Sequence, residues 1–435
     1  MDSSTLLSRR SAVKAGGAAV AASALAGCGI RGLTPPSHDS STLQMTFWGE
    51  GDQNKRLIAA LDLFERQHAP LKIATQYSGL DGYYDKLATR LAGGDPPDIF
   101  QIHLPYLLEY VRRGAVASLD PYAKDLGLTS VPDYIATTSK LDGHWYFALV
   151  GAATQPAIVY DRTRLEEKHL QPAKDGWTLD DFQDQMRQVH SDTGGKLYGS
   201  ADLGGNAIAF ESYLHGRAMR LFDDTGQLAF KPDDFSEWLQ MWDSQRKAGG
   251  CLPMSETAAA TGFQNDPVIT GKSAFTLTAT SRGLPSMQTL TKDTLRLLPF
   301  PAATRGGAPG TNIIPAGWFA VAKRSRNIEG AVALLKFLSG SKQASRAMQL
   351  ARGVPIASDL QAVIAPDLTG VNKLVFDNYQ QIARQKLVPL QPYPPGSGEL
   401  LQTSLPTANQ TVGFGKGSVS SVTDQFFSDA KRLLT

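Results

Sequence analysis

Apolar and polar positions alternate along this chain with two different periods, and each change of period marks an element. "STLQMTFW" (41–48) alternates weakly and predicts a strand. In "NKRLIAALDLFERQHAP", Leu57, Ile58, Leu61 and Phe64 recur at helical spacing. "LKIATQYS" (71–78) predicts a second strand, and "GYYDKLATRLAGG" (82–94) a helix closed by two glycines. "PPDIFQIH" (96–103) predicts a third, short strand introduced by prolines. Strand, helix, strand, helix, strand implies a parallel sheet with crossover helices. Ligands of such sheets collect at the carboxyl ends of the strands, so "WGEGD" and "QIH" become candidate site segments.

Further along, "HWYFALV" and "PAIVYD" predict a strand pair near 144–161, around "GAATQ". Helices follow in "TLDDFQDQMRQVH", "AFESYLHGRAMR" and "DFSEWLQMWDSQRKAGG". "SAFTLTAT", "TLRLLPFP" and "PAGWFAVAK" predict strands, and the remainder to "SSVTDQFFSDAKRLL" is mainly helical. No repeat of 20–50 residues is visible.

The first 27 residues stand apart. "SRRSAVK" is a positive stretch, and Ala15 to Gly27 carries no charge, in a run too short to cross a bilayer, which takes about 20 apolar residues. Together they predict an export signal. Arg9–Arg10 resembles a twin-arginine signal, although Ala12 stands where a large apolar residue is usual, so the general secretory route stays open. "LAGC" resembles a bacterial lipobox, which implies cleavage before Cys28 and lipidation of its thiol, and thus a membrane anchor. "GIRGLTPPSHDSST" has no periodicity and predicts a flexible tether over 28–41.

The remaining chain of about 408 residues suggests two domains. Loss of Arg9, Arg10, Lys14 and Asp2 takes the formal charge from +2 to 0. A neutral body argues against nucleic acid as a partner. Cys251 is left alone, so no disulfide framework exists in the mature chain, and burial is expected for it.

Taken together, "MTFWGEGDQNKRLIAALDLFERQHAPLKI", "GYYDKLATRLAGGDPPDIFQIH", "LDGHWYFALVGAATQPAIVYDRTRLEE", "GWTLDDF", "FDDTGQLAF", "ITGKSAFTL", "PAGWFAVAKRSRNIEGAVALLKFLSG" and "GVPIASD" resemble extracellular solute-binding protein family 1 of carbohydrate ABC importers. Each piece is degenerate; their order and spacing are specific. The resemblance spans nearly all of 42–435. It implies an α/β, two-lobed periplasmic-binding-protein-like fold of type II, with discontinuous lobes joined by hinge strands and a ligand cleft between them. The implied lobes are 42–150 with 277–322, and 151–276 with 323–435. It further implies a monomer that needs no cofactor or metal, serves permease subunits and works outside the cytoplasmic membrane. The chain departs from relatives at His103, where they often carry aspartate, and at "GAATQ", where one sugar-binding branch has Gly-Val-Asn.

Sugars present apolar faces edged with hydroxyls, so their sites combine aromatic plates with carboxylates and amides. The candidates are Trp48, Glu50 and Asp52 after the first strand, Tyr84 of the adjacent Tyr83–Tyr84 pair, and Gln101 and His103 after the third strand. Gln155 lies beside the hinge strands, Asn206 and Glu211 begin a helix, and Arg282 follows a strand where it could meet an anionic group. Asp52 could instead cap the helix that follows it. In "PAGWFAVAK", Phe319 and Val321 suit the core face, so Gly317 and Trp318 are expected to border the cleft, with the indole as a stacking plate. Trp145, Trp177, Trp238 and Trp242 are expected in the core.

Two other ligand and activity classes are compatible with parts of the chain. A glycerophosphodiester, bound by members resembling this family, would use cations such as Arg282. A secreted carbohydrate-active enzyme would need two carboxylates about 5–10 Å apart; Glu50 and Asp52 mimic that pair in sequence without any supporting motif. "GKS" at 271–273 lacks the P-loop glycine, since Asp266 stands there, and no His-Glu-x-x-His, Cys-x-x-Cys or Gly-x-Ser-x-Gly occurs.

Overall fold

The computed structural model describes residues 41–434 except 50, 81, 103, 172–175, 261, 389, 391 and 392. Cys28, the signal and the tether, Glu50 and His103 lie outside the described residues.

The expected alternation of strand and helix is present. Strand β1 (Thr42–Trp48) is followed by helix α1 (Gly51–Gln67), β2 (Lys72–Ser78), α2 (Tyr83–Ala92), β3 (Ile99–Ile102) and α3 (Leu104–Arg112). Strands β2 and β3 flank β1 and run parallel to it. Two later strands, β4 (Phe147–Leu149) and β11 (Trp318–Val321), complete this sheet in the order β2–β1–β3–β11–β4. β11 is antiparallel to both its neighbours. The chain leaves this sheet at Leu149 and returns to it at Trp318, building a second sheet on the way.

That second sheet holds β6 (Ala157–Asp161), β7 (Tyr198–Ser200), β8 (Ser273–Thr278) and β9 (Leu295–Pro299), in the order β9–β6–β8–β7. Between the two sheets, β5 (Ala152–Gln155) pairs with β10 (Asn312–Pro315) in an antiparallel ribbon. The chain from Ser40 to Thr435 packs as a compact unit.

Buried side chains fall into two apolar cores. The first gathers Phe47, Leu57, Phe64, Ile99, Phe100, Phe147 and Phe319. Helices α4 (Leu179–Asp192), α5 (Ala207–Gly216) and α6 (Pro232–Lys247) lie in the middle of the chain, and α7 (Ile328–Gly340) and α8 (Gly370–Ile382) follow the last strand; the first core also takes residues between 331 and 382 from these last two, among them Leu335, Val375 and Tyr379. The second core gathers Phe182, Phe210, Trp238, Trp242, Phe275 and Phe426. Trp238 and Trp242, four residues apart on α6, meet edge to face at 5.6 Å and are fully buried. Trp145 and Trp177 are also buried, and so is Cys251, whose thiol burial pushes well above its usual range. Among the described residues, no helix is long and apolar enough to cross a membrane.

Candidate functional site

The turn from β1 into α1 organises the site. Gly49 adopts φ +153°, and a Cβ there would stand 3.0 Å from Nη1 of Arg352 and closer still to Oδ1 of Asn54. Glycine at 49 is therefore needed for close approach as well as conformation. Asn54 donates from Nδ2 to the Gly49 carbonyl (2.6 Å) and accepts from Nη2 of Arg352 (3.1 Å). One amide thus fastens the helix start to the preceding strand and to a remote arginine.

Strand geometry places two different chemistries on the two sides of this turn. Opposed residues in the register share a face, so Trp48, Ile102 and Trp318 project from one side, and Phe47, Gln101 and Phe319 from the other. On the first side, α2 lies against the sheet. Tyr83 donates its hydroxyl to the Gln101 carbonyl at 2.7 Å and is buried, which raises its pKa well above the usual phenol value. Tyr84 is half-buried and stacks on Tyr106 of α3 with centroids 3.7 Å apart. Trp48 meets Tyr83 edge-on at 5.1 Å and lies 6.0 Å from Tyr84. Trp48, Tyr84 and Tyr106 form a stepped aromatic surface.

On the second side, Arg352 is 1% exposed and its guanidinium lies 5.2 Å over the Phe47 ring. Gln101 is fully buried, and neither its Oε1 nor its Nε2 has a hydrogen-bond partner among the described residues. Arg282 reaches the same turn from the loop after β8. It donates to the carbonyls of Ala351 (2.8 Å) and Ala316 (3.2 Å), and to Oε1 of Gln53 at 3.3 Å. A cavity of about 520 Å³ opens here, with Gly51, Asp52, Gln53, Arg56, Arg282 and Leu350 in its wall.

The other expected site residues stand as follows. Asp52 lies in the first turn of α1, mostly exposed, paired with Arg56 at 2.6 Å; it does not cap the helix. Gln155 is half-buried at the end of β5, opposite Asn312. Asn206 caps α5, accepting from the Ala209 amide at 3.0 Å. Glu211 is buried elsewhere, accepting from the Tyr393 hydroxyl at 2.7 Å. Burial pushes its carboxyl up to about 7. Neither Asn206 nor Glu211 is in the wall of the cavity at the β1 turn, and Glu211 lines a different, smaller space. Gly317 is packed against Arg352, whose carbonyl would stand 2.9 Å from an added Cβ. Trp318 is 3% exposed and packs 6.3 Å from Phe147.

The row expected to border the cleft is thus as buried as the core row. β11 has strands on both sides and cover on both faces, and in such a strand alternation does not separate core from site. Three contributors escaped the sequence reading: Gln53, Tyr106 and Arg352. Tyr106 had a faint signal as the aromatic in "QIHLPY"; Arg352 had only its isolation in "LARGVP". Among the described residues, no group of three or more His, Cys, Asp or Glu side chains could hold a metal ion.

Comparison with known proteins decides the family. Residues 49–345 match the bacterial extracellular solute-binding proteins. The chain belongs to that family. A solute-binding protein of this kind is a binder by family, and the family is extracellular. Over 176 residues the chain is 24% identical to an uncharacterised ABC transporter extracellular-binding protein of Pyrococcus horikoshii, a match covering 38% of this chain and 40% of that one. Its fold is that of the periplasmic solute-binding protein of Pectobacterium atrosepticum (TM-score 0.79, 21% identity, 91% of this chain and 98% of that one). It is likewise similar to the periplasmic oligogalacturonide-binding protein of Yersinia enterocolitica, solved with saturated digalacturonic acid (TM-score 0.75, 20% identity, 91% and 100%).

Proposed function

We propose that this solute-binding protein is the extracytoplasmic capture component of an ABC importer for a sugar or oligosaccharide, which it delivers to the membrane permease. The observation that carries the reading is the stepped surface of Trp48, Tyr84 and Tyr106 at the carboxyl end of β1. Aromatic rings at a strand end suit the apolar faces of sugar rings. The likeness to an ABC transporter binding protein and to a protein holding a digalacturonic acid supports the same reading. The bodies built on the two cores would act as lobes, closing over ligand by movement about the chain crossings near β5 and β10. Lipidated Cys28 would hold them at the membrane after export.

Thermal unfolding across monosaccharides, oligosaccharides and glycerophosphodiesters tests the proposal. A ligand at 100 times its dissociation constant stabilises the folded protein by about 2.7 kcal/mol, and chromatography of the recovered sugar should show no cleavage. Tyr84→Ala should weaken the response. A panel without any stabilising sugar refutes the reading. A glycerophosphodiester is the second reading, favoured by the guanidinium of Arg282 in the cavity wall.

A further inference from the structure

Four arginines whose side chains are largely withdrawn from solvent fall into two kinds. Arg246, on α6, has a buried carboxylate beside it: Nη1 is 2.7 Å from Asp202, with Asn409 at 2.9 Å. Arg164 lies 3.2 Å from Asp161 and 3.0 Å from Asp293. Arg282 and Arg352 have no such partner. Neither forms an ion pair among the described residues; their protein partners are carbonyls and amides. Nε of Arg282, and Nε and Nη1 of Arg352, are out of solvent and have no acceptor among the described residues.

These two side chains are close enough to act on one another. Both are linked to the segment 351–352 and to the 316–317 turn: Arg282 donates to Ala316 and Ala351, and Gly317 packs on Arg352. Burial pushes Arg282 down to about 10, and burial with the Arg282 charge pushes Arg352 down to about 9. Both therefore carry their charge at neutral pH, and each disfavours the other's. An isolated buried charge is costly unless an opposite charge and hydrogen bonds compensate it. Among the described residues, the carboxylate that faces the cavity, Asp52, is paired with Arg56.

We propose that Arg282 and Arg352, beside the start of α1, form an oxyanion subsite, so that the captured carbohydrate bears a carboxylate or a phosphate ester. This rests on the sugar-importer reading and narrows its substrate class. The α1 terminus, with Asn54 bound to Arg352, adds the positive end of a 17-residue helix. Gln53, 3.3 Å from Arg282, is the weakest of that arginine's partners and would be displaced by the incoming oxygen. A planar guanidinium with free N–H groups matches a carboxylate or phosphate edge in a way a lysine does not.

Calorimetric titration of the intact protein with matched pairs tests this: galacturonate against galactose, digalacturonate against a neutral disaccharide, and a glycerophosphodiester alone. The acidic member should bind at least about tenfold more tightly, with an advantage that shrinks as salt rises. Arg282→Gln should cost the acidic ligand roughly 10- to 100-fold in affinity, the range for losing a charge-assisted bond, and leave neutral sugar binding near its original value. Arg282→Lys should restore only part of the loss. Preference for the phosphodiester that depends on Arg282 supports the subsite and assigns its oxyanion to phosphate; preference for uronates assigns it to carboxylate. Equal affinity for acidic and neutral partners on the unmodified protein overturns the subsite while leaving sugar capture intact. Binding of no carbohydrate removes both, and needs no variant to observe.

Discussion

Glu211 and His215, one turn apart on α5, make opposite demands on pH. Both are buried, with Oε1 and Nε2 3.9 Å apart. Burial pushes Glu211 from 4.5 up to about 7 and His215 from 6.5 down to about 4. The folded state holds the Glu211 proton more tightly than the unfolded chain. Its contribution to stability is therefore present in acid and lost as pH rises from about 4.5 to 7. His215 is held neutral, so its contribution is full above about 6.5 and lost as pH falls toward 4. Each pKa unit corresponds to about 1.4 kcal/mol, so each group alone is worth about 3 kcal/mol across its window.

Because the windows overlap and the signs oppose, the two nearly cancel. From this pair the native protein should vary by only about half a kcal/mol between pH 5 and 8. Glu211→Gln keeps an acceptor for the Tyr393 hydroxyl and removes one of the two slopes. Urea unfolding of that variant should show stability rising by about 2.5 kcal/mol from pH 5 to 8 relative to the parent. His215→Gln should show the reverse, a fall of about 2 kcal/mol. Arg220 and Tyr393 line the same small space, and Arg220 pairs with Asp224 at 2.9 Å. A Glu211→Gln profile parallel to that of the parent protein would refute the assignment.

The remaining predictions concern the anchor and the first core. Cys28→Ser should move the protein from the detergent phase to the aqueous phase in phase separation; continued detergent partition would rule out lipidation at Cys28. Trp318→Ala should lower unfolding stability by about 3–5 kcal/mol, the usual cost of removing a buried Trp. Denaturant unfolding decides it, and unchanged stability would contradict the packing described for β11.

The order of elements was legible because both periods were strong. The first three strands and two helices appear within a few residues of their expected limits, and their parallel pairing follows from the crossover rule. The aromatic step was half legible. Trp48 and Tyr84 announce themselves beside a strand end, whereas Tyr106 enters only because α3 folds back onto α2. Lobe membership was harder to read. Residues 331–382 pack into the core of β1 and β3, although they follow the last crossing, because an apolar helix carries no mark of which sheet it will cover.

Arg352 was the least legible residue and is the most informative. In "LARGVP" it is one cation in an apolar loop, and a surface position is the expected place for it. Nothing local explains why it should be buried. The explanation is assembled from four distant places: the Phe47 ring, Asn54 at the helix start, Gly317 leaving space, and Gly49 without a side chain. Such an arrangement costs stability unless it serves the ligand, because Arg352 and Arg282 together bring two charges to one turn and, among the described residues, neither is paired with a carboxylate. Removing Arg282 therefore has opposite expected effects on the two states. The empty protein is relieved of a repulsion, while the complex with an acidic sugar loses its counter-charge. A structural arginine would not separate the two in this way.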